Sequence, residues 1–297
     1  TASSAEPMPT LPELAWERTY PRPDFSDGAV DLAPNPDGGY VAVTSTDNLS
    51  DGQVNGDLDL MWLSPEGDVL RRQAYGGPLN DTPVRIINVP SGGYLVVAAS
   101  ADSETGSVPV RPWIVRLNAV GEIVWERHLD IGSLGVDAVA MPDGRFAIVG
   151  SSPLLFLDLN GDPNPWLCVI DDTGEVQLQR SYPQERAQWV TSIHLATNGE
   201  YLLSGIAYSE DLDNANAYLL KLDASFEVVW NRELDLGKME QSRGAYPTAD
   251  GGNVVVINSQ PTNALGGKMV LLKTDAFGEP TDAVDFQPEF WSSVRTT

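Results

Sequence analysis

Short apolar runs separated by turn-forming residues make up most of this chain. Runs rich in Val, Ile, Leu and aromatic residues end at Gly, Pro, Asn or Asp, as at 84–89, 94–99 and 113–117. Asp-Gly or Asn-Gly often lies between consecutive runs, and these residues tolerate the positive φ that hairpin turns require. No long window shows the 3.6-residue period of an amphipathic helix. The pattern therefore predicts an all-β chain built from antiparallel hairpins.

The hairpins repeat five times. A tight turn before a β-branched run recurs in each repeat, and its last residues are Tyr40, Tyr94, Phe146, Tyr201 and Asn253. About 20 residues later a third run contains an aromatic residue or Met, at Trp62, Trp113, Trp166, Tyr218 and Met269. Four strands in each of five repeats predict a five-bladed β-propeller of four-stranded antiparallel blades. We expect the large aromatic residues to fill the space between wedge-shaped blades rather than to stack on sugars.

The repeat also predicts the domain organisation. It gives an N-terminal spacer at 1–13, one propeller domain at 14–286 and a C-terminal tail at 287–297, with blades at approximately 28–76, 82–130, 135–183, 189–235 and 242–286. Residues 14–20 match the fourth-strand pattern of residues 124–129 but have no first three strands of their own. We expect this N-terminal strand to close the ring by pairing with the last blade. It should displace residues 278–286, because Pro280 and neighbouring acids make those residues a poor strand.

The second repeat carries a recognisable series of motifs. It reads Tyr75-Gly76-Gly77, Ser91-Gly92-Gly93-Tyr94, a strand opening at Trp113, then Gly121 and Trp125, and the fourth repeat adds Lys221-Leu222-Asp223 before Trp230. This series resembles a repeat of secreted and surface proteins of bacteria and archaea, Tyr-Gly-Gly, Asp-Gly-Gly-Tyr, Asp-x-Trp, Lys-Leu-Asp, Gly and Trp. The resemblance implies a β-propeller outside the cytoplasm and brings no catalytic residue with it. The third and fifth repeats depart from it at Arg145-Phe146 and Asn253.

Charge and cysteine content exclude several classes of function. The 297 residues carry 18 Lys and Arg against 42 Asp and Glu, a formal net charge of −24. Binding to nucleic acid or anionic lipid needs a cationic surface, so we expect neither. The single Cys168 excludes an internal disulfide and a cysteine-built zinc site. No apolar stretch is long enough for a transmembrane helix.

These features give expectations about location and assembly. We expect a monomer that is secreted or displayed on the cell surface, with a periplasmic or lipid-anchored precursor as a further option. Residues 1–10 are small and polar, as at the mature end left by removal of a signal or lipoprotein anchor, or at a truncation point.

The first strand of each blade should line a central channel. Nine residues before the hairpin aromatic positions, the five repeats carry Asp31, Arg85, Asp137, Ser192 and Gly244, followed two residues later by His194 and Tyr246 in the last two. One interpretation is a polar pocket for a small ligand or ion, and the other is a water-filled channel with compensating charges. Equivalent positions at the start of these strands, Asp27, Asp81, Gln188 and Glu240, predict an acidic rim.

Calcium is the one candidate cofactor. Asp158, Asn160 and Asp162, followed by Asn164, place oxygen atoms at alternate positions, as at the start of a calcium loop. An apolar residue stands where such a loop has its bidentate Glu. The alternative is a solvated Asp/Asn turn, whose side chains bond to their own backbone.

Function is less well determined than fold. We expect a binding or scaffold module with a glycan or protein ligand. The alternatives are a carbohydrate-active enzyme that uses the axial carboxylates and a purely structural surface component. The sequence has no nucleophile elbow, dinucleotide-binding fingerprint or phosphate loop that would favour other enzyme classes.

Overall fold

A computed structural model describes residues 15–21, 25–48, 56–76, 81–101, 110–131, 135–152, 163–183, 186–209, 214–237, 239–260 and 267–286. These residues form 20 β-strands. Blade 1 contains β1 (Phe25–Pro34), β2 (Tyr40–Asn48), β3 (Gly56–Leu63) and β4 (Val69–Tyr75). Blade 2 contains β5 (Asp81–Asn88), β6 (Tyr94–Ala101), β7 (Val110–Leu117) and β8 (Ile123–His128).

The other three blades follow the same order. Blade 3 contains β9 (Gly135–Ala140), β10 (Phe146–Ser152), β11 (Asn164–Ile170) and β12 (Val176–Ser181). Blade 4 contains β13 (Gln188–Leu195), β14 (Tyr201–Tyr208), β15 (Ala215–Leu222) and β16 (Val228–Leu234). Blade 5 contains β17 (Met239–Pro247), β18 (Asn253–Gln260), β19 (Lys268–Thr274) and β20 (Pro280–Phe286).

Each blade is a four-stranded sheet whose strands pair antiparallel in sequence order. The turn between the third and fourth strands needs a left-handed residue in every blade. Gly67, Gly121, Gly174 and Gly278 have φ between 81° and 83°, and Phe226 adopts φ 63° at the same place. The predicted all-β class and the five four-stranded antiparallel blades are thereby confirmed.

Large apolar side chains fill the interfaces between consecutive blades. Trp62, Trp113, Trp166 and Tyr218 are each 5% exposed or less, and each belongs to an apolar cluster that joins two neighbouring blades. Their role in packing is as predicted. Cys168 is also fully buried, and burial raises the pKa of its thiol to about 11.

The prediction that the N-terminal strand displaces residues 278–286 is wrong. β20 pairs with β19 and occupies the fourth position of blade 5. Pro280 is tolerated because it is the first residue of an outer strand, opposite Thr274 and beside a register shift, where the ladder does not need its missing N–H. The described residues 15–21 adopt no strand conformation, and Trp16 and Tyr20 contact blade 1.

A recurring contact joins the fourth strands of blades 1 to 4 to the next blade, and we refer to these contacts as the outer rim. The indole N–H of Trp125 donates to the Asp172 carbonyl at 2.7 Å, and that of Trp230 donates to the Ala276 carbonyl at 3.1 Å. Four positions beyond the Trp site, Tyr75 donates to the Gly121 carbonyl at 2.5 Å and Tyr182 to the Phe226 carbonyl at 3.0 Å. All four acceptors lie in the turn between the third and fourth strands of the following blade.

The N-terminal segment makes both rim contacts on blade 1. Trp16 donates to the Pro65 carbonyl and Tyr20 to the Gly67 carbonyl, each at 2.8 Å. Tyr20 also packs against a small apolar cluster on blade 1. Trp16 and Tyr20 therefore make on blade 1 the two kinds of contact that fourth-strand residues make on the following blade elsewhere.

The predicted acidic rim at the start of the first strands is wrong as a surface feature. Asp81, Gln188 and Glu240 are 4%, 3% and 0% exposed. They face inward because each pairs across the strand with a second-strand residue, Ser100, Ala207 and Ser259 respectively, and all three of those residues are buried. The side chain of Asp27 lies outside the described part of the structure.

Candidate functional site: an axial cavity

The first strands of the five blades surround a cavity of about 210 Å³. β1, β5, β9, β13 and β17 all contribute lining residues. In each of them the register with the second strand shifts by one residue, and the residues skipped are Val30, Val84, Val136, Thr191 and Arg243. A β-bulge redirects the side chains around it, and here both the bulged residue and, in blades 1 to 4, the residue after it line the cavity.

A charged triad occupies the side of the cavity formed by blades 1 to 3. The guanidinium of Arg85 lies between two carboxylates, with Nη1 donating to Asp31 Oδ1 at 3.1 Å and Nε 2.9 Å from Asp137 Oδ1. Each carboxylate also accepts a backbone N–H from the next blade. Ile86 N donates to Asp31 Oδ2 at 2.9 Å, and Ile193 N donates to Asp137 Oδ2 at 2.8 Å. The triad therefore links four successive blades near the axis.

The two carboxylates differ in their environment. Asp137 is only 4% exposed, and burial raises its pKa to about 6, although Arg85 and the backbone N–H groups of Ile193 and Ala138 act in the opposite direction. The side chain of Asp31 is 17% exposed and keeps more of its hydration.

Neutral polar groups occupy the side formed by blades 4 and 5. The Ser192 hydroxyl lies 2.8 Å from that of Ser204. The Thr191 hydroxyl donates to the Ser242 carbonyl of blade 5 at 3.1 Å. The hydrogen bond between Thr191 and Ser242 therefore joins blades 4 and 5, as the triad joins blades 1 to 4.

An aromatic pair covers the same side. The rings of His194 and Tyr246 lie 4.3 Å apart, centroid to centroid, with an interplanar angle of 56°. Gly244 makes room for this pair, because a Cβ at that position would lie 3.1 Å from the Tyr246 hydroxyl. Burial, followed by the charge of Arg85, lowers the pKa of His194 to about 4, so the imidazole is neutral at pH 7.

Several polar groups around the cavity have unused hydrogen-bonding capacity within the described residues. His194 Nδ1 is buried and has no hydrogen-bond partner there. Arg85 Nε is also buried without a hydrogen-bond partner there, although it forms an ion pair with Asp137 Oδ1 at 2.9 Å. Arg243 is exposed and donates only to Gln241, at 3.3 Å.

The six residues predicted for the channel all line the axial cavity, and that they bind a ligand stays a prediction: Asp31, Arg85, Asp137, Ser192, His194 and Tyr246. Thr191 and Arg243 also line the cavity and were not predicted, because a strand without a bulge would turn them away from the axis. The repeated offset of the bulge, one residue before the predicted channel position, is visible only once the strands are paired.

The predicted calcium ligands Asp158, Asn160 and Asp162 lie outside the described residues. Within the described residues, no three His, Cys, Asp or Glu side chains are grouped so as to hold a metal ion.

The geometry disfavours the carboxylates as a catalytic pair. A glycosidase needs one carboxylic acid aimed at the leaving oxygen and one carboxylate aimed at water or the sugar. Here both oxygens of Asp31 and of Asp137 already contact Arg85 or a backbone N–H. The arrangement holds the guanidinium of Arg85 in place between the two carboxylates.

Solved structures of similar fold cover most of this chain. A protein of unknown function from Bacteroides caccae aligns with 92% of this chain and 86% of its own, at 14% identity and a TM-score of 0.55. An unknown-function protein from Dyadobacter fermentans aligns with 91% and 85%, at 12% identity and a TM-score of 0.54. Puromycin hydrolase aligns with 86% of this chain but only 38% of its own, at 15% identity and a TM-score of 0.54.

At these identities the likeness shows the fold alone. With the five four-stranded blades, it defines the chain as a protein of β-propeller architecture. No family model matches the sequence, and no curated protein matches it. Along the described residues, no helix has the length and hydropathy that a membrane crossing requires.

Proposed function

We propose that this protein is a secreted or cell-surface binding module that takes a small polar ligand in its axial cavity. The observation that carries the proposal is the set of five bulges, which turn side chains from all five first strands into one cavity. Ligand pockets are concave and contain a few polar groups with free hydrogen-bonding capacity. Arg85, Arg243 and His194 supply such groups here.

The charge of the chain supports a location outside the cytoplasm. A net charge of −24 keeps a protein soluble through self-repulsion, and dissolved salt screens the cost of that repulsion. The resemblance of the repeat to secreted and surface proteins favours the same location. Fractionation of cells that make the full-length precursor tests this part, and recovery in the cytoplasm alone would contradict it.

We also propose that residues 15–21 complete the ring between blades 5 and 1. Asp282 and Val284 stand in β20 at the places of Trp230 and Arg232 in β16. Blade 5 thus lacks the rim side chains that it would extend towards blade 1. Trp16 supplies the missing contact by donating to Pro65.

The binding proposal is tested with a chemical library. Ligand-observed NMR is run with neutral sugars, sugar acids, amino acids and divalent cations, on the wild type and on Tyr246→Ala. Tyr246 is 48% exposed, so we expect the variant to fold and to lose the signal of any cavity ligand. Phe277→Ala is the matched control, because Phe277 is a 66% exposed aromatic residue in a peripheral turn.

Two results would contradict the proposal. Either no compound binds the wild type, or the compounds that bind also bind Tyr246→Ala with unchanged affinity. Turnover of a bound glycoside would instead favour the enzyme alternative.

A further inference from the structure

The hydrogen-bonding groups that remain open in the axial cavity are mostly donors. The oxygens of Asp31 and Asp137 contact Arg85 and backbone N–H groups. The Ser204 and Ser242 carbonyls accept from the Thr191 hydroxyl, each at 3.1 Å. These contacts use the strongest acceptors of the lining within the cavity wall itself.

The donors are used less completely. The side chain of Arg85 is 34% exposed, and its buried Nε has no hydrogen-bond partner within the described residues. Arg243 lines the cavity and shares only one hydrogen bond with Gln241. Because a guanidinium has five N–H donors in a planar fork, it pairs with a carboxylate through two parallel bonds.

From this imbalance we propose that the ligand of the axial cavity is a small sugar acid, whose carboxylate pairs with the guanidinium of Arg243. The inference rests on the binding function proposed above and narrows it to one chemical class. The ring of the sugar acid lies against the half-exposed face of Tyr246, and its hydroxyls accept from or donate to His194.

The size of the cavity fits this class. A volume of about 210 Å³ lies below the range of about 300–1,000 Å³ usual for drug-sized ligands. It admits one small molecule rather than an oligosaccharide. Val30, Val84 and Val136 add apolar surface from blades 1 to 3, against which a carbon skeleton packs.

The negative charge of the whole chain distinguishes specific binding of an acid from general electrostatic attraction. With a net charge of −24, the surface repels anions at long range. A bound sugar acid therefore reports local pairing with the Arg243 guanidinium rather than general attraction to a cationic surface.

Matched pairs of sugars test the inference. Isothermal titration calorimetry compares D-glucuronate with D-glucose and D-galacturonate with D-galactose, because the members of each pair differ only at C6. At least one acid should bind, and its neutral partner should bind about tenfold or more weakly, as expected for hydrogen bonds between charged groups.

Variants locate the binding. Arg243→Gln should weaken the acid by about tenfold or more and leave the neutral sugar unchanged, since the new side chain keeps polarity but loses the charge and the fork. Arg127→Gln is the control, because Arg127 is an exposed arginine on β8 at the outer rim. Unchanged folding of both variants is checked by their melting curves.

The possible results separate the sugar-acid inference from the proposed binding function. Equal binding of acid and neutral sugar, or an acid affinity that Arg243→Gln leaves unchanged, overturns the sugar-acid inference but leaves a cavity ligand in place. A library hit from another class, with no binding of either acid, does the same. Failure of both acids together with the entire library overturns the inference and the proposed function alike.

Discussion

The outer rim and the axial cavity are both built from equivalent positions of the repeat. The side chains at the rim are similar from blade to blade, whereas those at the axis differ. At the rim a Trp or a Tyr of each of blades 1 to 4 donates to a turn carbonyl of the next blade, and Trp16 and Tyr20 make both kinds of contact with blade 1. At the axis the equivalent positions hold Asp, Arg, Asp, Ser and Gly. The backbone at the axis nevertheless repeats from blade to blade, since every first strand carries its bulge at the same offset.

This difference separates geometry from chemistry. A contact that serves each interface equally well recurs because each wedge-shaped gap presents the same packing problem. The axial residues differ because all five share one cavity, where two facing carboxylates would repel without Arg85 between them. Each axial side chain therefore depends on the identity of the others, whereas each rim contact depends only on its own interface.

The largest effect is expected from removing the shared cation of the axis. Arg85→Gln leaves Asp31 and Asp137 without their counter-charge, and breaking a buried ion pair from one side costs about 3–5 kcal/mol. We expect the lower end of that range because the Arg85 side chain is 34% exposed. Urea unfolding followed by tryptophan fluorescence measures the loss.

The rim supplies the control. Arg127→Gln removes an exposed pair with Glu175, whose charged atoms lie 3.9 Å apart, and such pairs contribute about 0–1 kcal/mol. Asp137→Asn added to Arg85→Gln should restore part of the stability, because it removes one of the two uncompensated charges. Similar losses from Arg85→Gln and Arg127→Gln would show that the axial triad is no more coupled than the rim.

A smaller effect is expected at the rim itself. Trp16→Ala removes the indole contact with Gly67 and the bond to Pro65, and Trp125→Ala removes the same contacts with Gly174 and Asp172. Full burial of a large aromatic corresponds to about 3–5 kcal/mol on truncation. These two are only partly buried, so we expect about 2–3 kcal/mol for each.

Equality of the two losses is the informative result. It would mean that residues 15–21 stabilise blade 1 as β8 stabilises blade 3, although they belong to no sheet. A loss in Trp125→Ala without a comparable loss in Trp16→Ala would contradict the proposed completion of the ring.

The sequence predicted the repeated parts best. Strand number, blade size and the packing role of Trp62 or Trp166 follow from recurrence, because one pattern is sampled five times. The prediction that residues 14–20 displace β20 from blade 5 was wrong. This choice occurs only once in the chain, so no repeat supports it, and it depends on the position of Pro280 in the strand ladder. The bulges were invisible because a register shift is a property of two paired strands. Arg243 was missed for that reason.

The smallest effect is expected in the pH response of the cavity, because two of its groups oppose each other. Burial lowers the pKa of His194 to about 4. Below pH 6.5, the ordinary pKa of the imidazole, the unfolded chain gains a proton that the folded protein does not bind, and this lowers the stability of the fold. The contribution of His194 to stability therefore increases as the pH rises from about 4 to 6.5. Burial raises the pKa of Asp137 to about 6. Its contribution decreases as the pH rises from about 4 to 6, because the folded protein holds a proton that the unfolded chain releases.

Single variants separate the two contributions. The difference in unfolding free energy between wild type and His194→Phe should increase from pH 4 to 6.5, since phenylalanine keeps the packing on Tyr246 but does not titrate. The corresponding difference for Asp137→Asn should decrease from pH 4 to 6. Urea unfolding at half-unit pH steps measures both, and Arg127→Gln, distant from the cavity, should give a flat difference. Flat differences for both cavity variants would mean that these groups titrate as in the unfolded chain, and that the axis is as well hydrated as the rim.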